Sequence, residues 1–426
     1  MFKNRQTLLL LGDVAVLALS LWLMILWRFD ASSQHALIMA QIRIFVPLFV
    51  LWLVVFFVFE LYDVRRVNPN PQHIGLLIAA VALCVGLSIV VFYLIPQPGI
   101  TPKTNLAIIG GIAFMLLVAW RRAFYHLFTS RIKQHIALIG TSPLLDDLKT
   151  ELTKHPQLGT VVGHWEDISQ IPSDIGTIHL FISESTKPKY LLSLTQHFNA
   201  TLFSLPHAYQ AFFGKVPASL ISNERAIQII SKDPNQAMYI LSRIIEILVA
   251  TIVLVITSPF VLIAMIAILV EDGSPVIYRQ ARVGKNGAVF DLYKLRSMRK
   301  DAERNGAQWA DTHDTRITRL GHILRKTHLD EVPQMYNIIR GNLALIGPRP
   351  ERPEFVTELE QQIPYYYLRH TVRPGFTGWA QIKFRYARSV MDSQEKFAYD
   401  LYYLLNRSPL LDAGIVLKTL QIIFTH

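Results

Sequence analysis

The chain has 426 residues, of which 51% are hydrophobic and only 17% charged, and its formal net charge is +11. This balance excludes a single soluble body and points to several membrane segments sharing two or three domains with a soluble part. Beside so many apolar runs, the basic excess suits anionic lipid headgroups and phosphorylated substrates rather than nucleic acid, and the single cysteine, Cys84, excludes an internal disulfide.

Four apolar segments come first, at about 8–27, 42–61, 74–95 and 106–120, each near the ~20 residues that cross a bilayer core. No small-residue cleavage site ends the first, so it reads as an anchor and not as a removed leader. Lys3 and Arg5 precede it, Arg65 and Arg66 separate the second and third, and Arg121, Arg122, Arg131 and Lys133 follow the fourth. Excess positive charge marks the cytoplasmic side, so both ends of this four-span part are expected there. Asp13 lies inside the first segment and calls for a partner from another helix.

Residues 134–232 read as a small Rossmann-like α/β module. HIALIG is a buried strand and turn, LLDDLKTELTKH a helix, and TIHLFIS and ATLFSL two further strands. The turn IGTSPLLDDL has one glycine where a diphosphate-cradling loop needs three, so a regulatory or dimerising role, including a homodimer, is expected over nucleotide binding. The stretch from Leu241 to Val270 is longer, is broken by Ser258-Pro259, and has basic residues at both ends, Lys232 and Arg243 before, Arg279, Arg282 and Lys285 after. A proline removes a backbone donor and kinks a helix, and symmetric flanks favour a re-entrant hairpin over a crossing. The chain thus divides into a four-span domain at 1–133, the module at 134–232, and a re-entrant helix with a mostly α-helical catalytic domain at 233–426.

Chemistry concentrates between Thr315 and Pro350. Ile317, Leu320, Ile323 and Leu324 make one helical face and Arg316, Arg319, Arg325 and Lys326 a basic one. Leu329-Asp330-Glu331-Val332-Pro333 then predicts a helix starting near Asp330, its dipole keeping both carboxylates ionised. Adjacent acids among arginines suit phosphoryl transfer, one carboxylate attacking phosphorus while its neighbour helps hold a divalent metal or position the acceptor.

The blocks EDGSPVIYRQARVGKNG, FDLYKLRSM, LRKTHLDEVPQMYNIIRGNLALIGPRPERPEF and RPGFTGWAQI, with Ser258-Pro259 ahead of them, resemble the bacterial sugar transferase family of polyprenyl-phosphate hexose-1-phosphate transferases. The match covers about 238–424, and the four spans plus module are similar to the family's long form. The resemblance implies Asp330 as nucleophile, Glu331 as its acidic partner at a magnesium site shared by the two, and Arg349 of Pro348-Arg349-Pro350 facing substrate phosphates. It implies substrate contacts for Arg282, Lys294, Arg296 and Arg373, a nucleotide-side lining of Thr377, Gly378, Trp379 and Gln381, and a re-entrant break at Ser258 and Pro259. It also implies a UDP-sugar donor, a polyprenyl phosphate acceptor and a multi-pass protein of the bacterial inner membrane with a cytoplasmic catalytic domain. Trp379 itself reads more as packing than as base stacking. A membrane NAD-dependent nucleotide-sugar dehydratase would need a glycine-rich loop and a Tyr-x-x-x-Lys pair, and none of the 16 tyrosines has lysine four positions on. A scaffold or chain-length regulator of polysaccharide assembly would leave Asp330-Glu331 and Pro348-Arg349-Pro350 idle.

Overall fold

The computed structural model describes residues 2–28, 34–62, 71–94, 102–130, 135–154, 159–166, 170, 178–182, 200–231, 236–302, 314–384 and 389–424. Outside these lie Arg65, Arg66, Arg131, Lys133 and Lys232 of the charge pattern, and the two expected boundaries at 133/134 and 232/233. The chain forms two compact units, 1–211 and 212–426.

The first unit begins with four apolar helices: α1 (Phe2–Arg28), α2 (Gln34–Val58), α3 (Pro71–Leu94) and α4 (Pro102–Phe124). Each is long and apolar enough to cross a membrane. They enclose a core that includes Leu17, Met24, Phe45, Trp52, Phe56, Leu77, Ile109 and Leu117, while Trp22, Val50, Ile89 and Met115 point outward. Outward apolar side chains around a packed interior are the arrangement a lipid solvent requires. The expected partner of Asp13 is Arg121: its Nη2 donates to Oδ2 of Asp13 at 2.7 Å, and its Nη1 caps the Leu61 carbonyl at 2.6 Å, past the end of α2. Removing one member of a buried pair strands the other charge, at a cost of about 3–5 kcal/mol. Asp13→Leu should therefore lower the melting temperature of detergent-solubilised protein sharply, and Asp13→Leu combined with Arg121→Met should recover much of the loss.

The α/β module follows in the same unit: β1 (His135–Ile139), α5 (Pro143–Lys154), β2 (Thr160–Trp165), β3 (Ile178–Ile182), β4 (Ala200–Ser204) and α6 (Leu205–Phe213). All strand pairs are parallel, in the order β2-β1-β3-β4. Strands β1, β3 and β4 coincide with the apolar runs read from the sequence. Strand β2, TVVGHW, was not visible there, because its half-buried side chains and internal Gly163 give neither a clean alternation nor a solid apolar run.

The second unit starts with α7 (Asn223–Ile230) and the long helix α8 (Gln236–Asp272). Where a hairpin was expected, α8 is assigned as one helix of 37 residues with Pro259 inside it. Proline deprives the Val255 carbonyl, four residues back, of its usual donor. The Ser258 hydroxyl donates to that carbonyl at 2.8 Å, so the break leaves no unpaired backbone acceptor in an apolar segment. Beyond α8 come β5 (Ile277–Val283) and β6 (Val289–Leu295), an antiparallel pair, then α9 (Arg319–Lys326), a 3-10 turn (Leu329–Glu331) and α10 (Gln334–Arg340). Next are β7 (Ala344–Ile346), α11 (Pro353–Gln362), β8 (Gly375–Thr377), α12 (Trp379–Lys383), α13 (Val390–Asn406) and α14 (Pro409–Phe424), with β7 and β8 paired in parallel. This unit is mostly helical, as expected.

Both halves of α8 carry the body. Ala250 packs with Leu292, Met335, Ile338 and Leu343, and Ala264 and Ile268 pack with Leu295 and Leu324. The opposite side of α8 exposes Ile244, Leu248, Ile252, Val255, Phe260, Leu262, Ile266 and Val270. A continuous exposed apolar face of this length belongs in lipid.

Candidate functional site

The segment bearing Asp330 is positioned from three sides. Helix α9 is capped by Thr318, whose hydroxyl accepts from the Gly321 amide at 2.9 Å. Gly321 packs directly on the Ser297 carbonyl, where a Cβ would come within 2.0 Å, so only glycine lets α9 lie against the end of β6. Behind the turn, Asn337 accepts from the Tyr293 amide at 3.1 Å and donates to the Asp291 carbonyl at 2.7 Å, pinning α10 to β6. Strand β6 also carries Lys294, so the acid-bearing turn and its lysine are fixed to one frame.

The turn itself differs from the sequence reading. Asp330 lies in a 3-10 turn preceded by His328 in the left-handed region (φ 54°), and the α-helix begins only at Gln334. Pro333 has no amide to donate, so the chain closes short bonds first, Glu331 N to His328 O and Val332 N to Leu329 O. Asp330 is therefore buried ahead of the helix (6% exposed), not in its first turn. Burial, reinforced by the Glu331 charge, pushes its carboxyl up from 3.8 to about 6, against the pull of Lys294, Arg325 and His328. No side chain among the described residues is hydrogen-bonded to the Asp330 carboxylate, which leaves its oxygens available.

Glu331 has the opposite environment. One of its oxygens, Oε1, accepts from Lys294 Nζ at 2.8 Å and from Arg349 Nη2 at 2.7 Å. Burial raises its pKa, but Arg349 and Lys294 outweigh that and hold it well below the ordinary value. Asp330, Glu331, Lys294 and Arg349 are thus gathered in one place, as the sequence led us to expect. Arg325 joins them: seen in the sequence only as part of a basic helical face, it acts on Asp330 electrostatically while its Nε donates to Ser297 Oγ at 2.9 Å. With both acids ionised the cluster still has one more cation than anion, which is what an incoming phosphate group needs.

The other expected site residues have protein partners. Arg282 Nη1 donates to the Pro350 carbonyl at 2.8 Å and lies 3.6 Å from Glu351. Arg296 caps the end of α8, donating to the Gly273 carbonyl at 2.6 Å, and pairs with Asp272 at 3.1 Å. Arg373 pairs with Glu246 of α8 at 3.0 Å. The Thr377 hydroxyl is 2.6 Å from that of Thr419, and Gln381 Nε2 donates to the Phe376 carbonyl at 3.0 Å. Trp379 is packing, as expected: it stacks on Tyr402 with ring centres 5.3 Å apart and donates to the Gly214 carbonyl at 2.7 Å. Among the described residues no group of three or more His, Cys, Asp and Glu side chains gathers where a metal could sit. Asp330 and the second oxygen of Glu331 are carboxylate donors of the type that hard divalent cations take.

A buried carboxyl with no hydrogen-bonded side chain thus lies beside Lys294, Arg325 and Arg349, on a body packed against a long helix whose exposed apolar face is consistent with an integral membrane protein. The comparisons with known proteins agree. Residues 237–426 match the family described as bacterial sugar transferase. A UDP-N-acetylgalactosamine-undecaprenyl-phosphate N-acetylgalactosaminephosphotransferase of Aeromonas hydrophila is 42% identical over 192 residues, 45% of this chain and 45% of that protein. A putative undecaprenyl-phosphate N-acetylgalactosaminyl 1-phosphate transferase of Bacillus subtilis is 46% identical over 129 residues, 30% of this chain and 72% of that protein. A UDP-glucose:undecaprenyl-phosphate glucose-1-phosphate transferase of Klebsiella pneumoniae is 28% identical over 311 residues, 67% of each chain. The chain belongs to the bacterial sugar transferase family.

Proposed function

We propose that this protein transfers a hexose-1-phosphate from a UDP-sugar to polyprenyl (undecaprenyl) phosphate, releasing UMP, as the initiating step of exopolysaccharide, capsule or O-antigen synthesis. The observation that carries this reading is Asp330: a buried carboxylate with no hydrogen-bonded side chain, beside cations already organised through Glu331. A carboxylate oxygen of Asp330 attacks the sugar-proximal phosphorus of the donor. The bond from that phosphorus to the bridging oxygen breaks, and UMP leaves with the electron pair. An oxygen of the acceptor phosphate then attacks the same phosphorus, and the aspartyl oxygen leaves as the regenerated carboxylate. The product is a polyprenyl diphosphate sugar. A covalent intermediate lets one site serve a soluble nucleotide and a membrane lipid in turn.

Lys294, Arg325 and Arg349 neutralise the non-bridging oxygens, and Arg349 can grip phosphate with two nitrogens. Glu331 holds Lys294 and Arg349 in place before the donor arrives. Magnesium, held by Asp330 and Glu331, would supply further charge neutralisation to the phosphates. Because attack needs the ionised acid, kcat/KM at the donor step should rise with pH up to about 6 and level off above it. Initial rates of UMP release measured from pH 4.5 to 8 check this, and an acid limb centred near 3.8 would mean that burial does not govern the nucleophile.

The membrane part supports the same reading. A 37-residue helix is about 55 Å long against a ~30 Å hydrocarbon core. At one end of α8, Arg243 donates to the Ile338 and Ile339 carbonyls at 2.6 and 2.7 Å; at the other, Glu271 accepts from the Leu320 amide at 3.3 Å. Both ends thus bind one polar body, which favours a re-entrant helix bent at Ser258-Pro259 over a fifth crossing. With four spans ahead of it, the catalytic part at 233–426 lies on the cytoplasmic side of the inner membrane, where the nucleotide donor is made. A reporter fused after His426 should be active only in the cytoplasm. The parallel sheet of 134–232 supports a Rossmann-like module, and a regulatory or dimerising role, with a homodimer through it, is the role we assign. UMP release from a panel of UDP-sugars, dependent on polyprenyl phosphate, tests the activity; a protein that releases none from any of them is a scaffold.

A further inference from the structure

Arg349 is held from behind by a network that the reaction scheme above does not use. The four consecutive carbonyls of Pro348, Arg349, Pro350 and Glu351 are all taken. Pro348 O accepts from the Gly375 amide at 2.8 Å and Glu351 O from the Val283 amide at 2.9 Å. Between them, Arg349 O accepts from Arg369 Nη2 at 2.9 Å and Pro350 O from Arg282 Nη1 at 2.8 Å. Two guanidinium groups therefore do, inside the protein, what strand amides do on either side.

Both arginines are also held by side chains. Arg369 is 3% exposed, its Nη2 also binds Asp400 at 2.9 Å, and its Nη1 donates to the Tyr366 hydroxyl. Arg282 and Arg369 share one counter-charge, Glu351, which lies 3.6 Å from the first and 4.0 Å from the second and accepts from Lys396 at 2.7 Å. Arg369 comes from the 3-10 helix Tyr366–Thr371, Asp400 and Lys396 from α13, Arg282 from β5, and Glu351 from the loop itself. Three other parts of the second unit thus meet this loop at the main chain of Arg349, whose own Nη2 donates to Glu331 at 2.7 Å.

We propose that Arg369, with Asp400 and Glu351 as its counter-charges and Arg282 as its neighbour, is a positioning residue for the transfer reaction. It fixes the main chain of Arg349, so that the guanidinium meets the donor phosphates in one orientation. The inference rests on the phosphate-binding role given to Arg349 above. A planar arginine fork can bind Asp400, Tyr366 and the Arg349 carbonyl together, and a lysine ammonium cannot match that geometry. An ångström of misplacement at a reacting centre is enough to cost about a hundredfold in rate.

The test is a double-mutant cycle on the full-length protein in detergent or nanodiscs, reading kcat and KM for UMP release beside the melting temperature. Arg369→Lys should lower kcat about tenfold to a hundredfold with KM for the acceptor unchanged, in protein that still melts cooperatively. Introduced into an Arg349→Lys background, the same change should have little further effect, because the group it positions is already gone. Asp400→Asn, close in shape to the wild type, should repeat the pattern in milder form and serves if Arg369→Lys does not fold. Equal fold-losses in both backgrounds would overturn the proposal and leave the network as support for the fold alone, as would wild-type kcat in Arg369→Lys. Failure of the transferase reading is separately visible, since wild-type protein would then release no UMP at all.

Discussion

Asp330→Asn should abolish transfer and at the same time make the protein more stable. Loss of the nucleophile should reduce UMP release by at least ~10⁴-fold, since the remaining cations bind the donor but nothing attacks it. The stability gain follows from the buried carboxyl. Its pKa is raised from 3.8 to about 6, so the folded protein holds this proton more tightly than the unfolded chain does. The associated stability is fully present below 3.8 and is lost as pH rises through about 6; at neutral pH the native state therefore carries an ionised acid at a cost of about 3 kcal/mol. Asparagine has nearly the same shape and no charge, so it removes that cost. Melting curves in EDTA should show the variant above wild type at pH 7.5 and level with it near pH 3.5. A variant that is less stable at pH 7.5 would mean that Asp330 is paired in solution, contrary to the structure.

Glu331→Gln should do the reverse to stability, although the two acids are adjacent. Glu331 is the shared acceptor for Lys294 and Arg349, which are 19% and 33% exposed and lie 2.8 and 2.7 Å away. Taking away its charge strands two cations at once, and breaking one buried pair costs about 3–5 kcal/mol. The sign agrees with its pKa, held well below the ordinary value: the stabilisation is present above the unfolded value and is lost as pH falls through the folded one. Activity should fall too, by about a hundredfold or more, because Arg349 loses the anchor that aims it. A second consequence separates this from general damage. Glu331 helps raise the pKa of Asp330, so the acid limb of whatever activity remains should move to lower pH in Glu331→Gln. Urea melts together with the pH–rate profile check both; a variant as stable as wild type with an unmoved profile would show that Lys294 and Arg349 do not depend on Glu331.

These opposite expectations mark the limit of what the linear sequence shows. The adjacency of Asp330 and Glu331 and the prolines around Arg349 were legible, and they pointed to the segment where Lys294 and Arg349 meet at Glu331. The difference between the two acids was not, because it depends on which way each side chain turns from a 3-10 turn, and that turn arises from Pro333 in three dimensions. Basic residues were likewise easy to find and hard to sort. Lys294 reaches the site because β6 is pinned to α10 through Asn337, whereas Arg296, two positions on, turns back to cap α8. Arg369 carried no sequence signal, since a buried arginine that binds main-chain carbonyls looks like any surface arginine until its neighbours are known. The four apolar helices were located from length and hydropathy, but their starts lie three to eight residues before the apolar runs, where polar residues such as Asn4, Gln34 and Lys103 continue the helix. The break at Ser258-Pro259 was legible, but the bond by which the Ser258 hydroxyl satisfies the Val255 carbonyl, so that α8 runs through Pro259 as one helix, was not.

The phospho-aspartyl step can be tested by mass. Purified protein incubated with a UDP-sugar it accepts, without polyprenyl phosphate, should release about one equivalent of UMP in a burst and gain the mass of one sugar phosphate on the peptide containing Asp330. Addition of polyprenyl phosphate should discharge the adduct. If UMP appears only when both substrates are present and no adduct forms on that peptide, the acceptor attacks the donor directly and Asp330 is not the nucleophile.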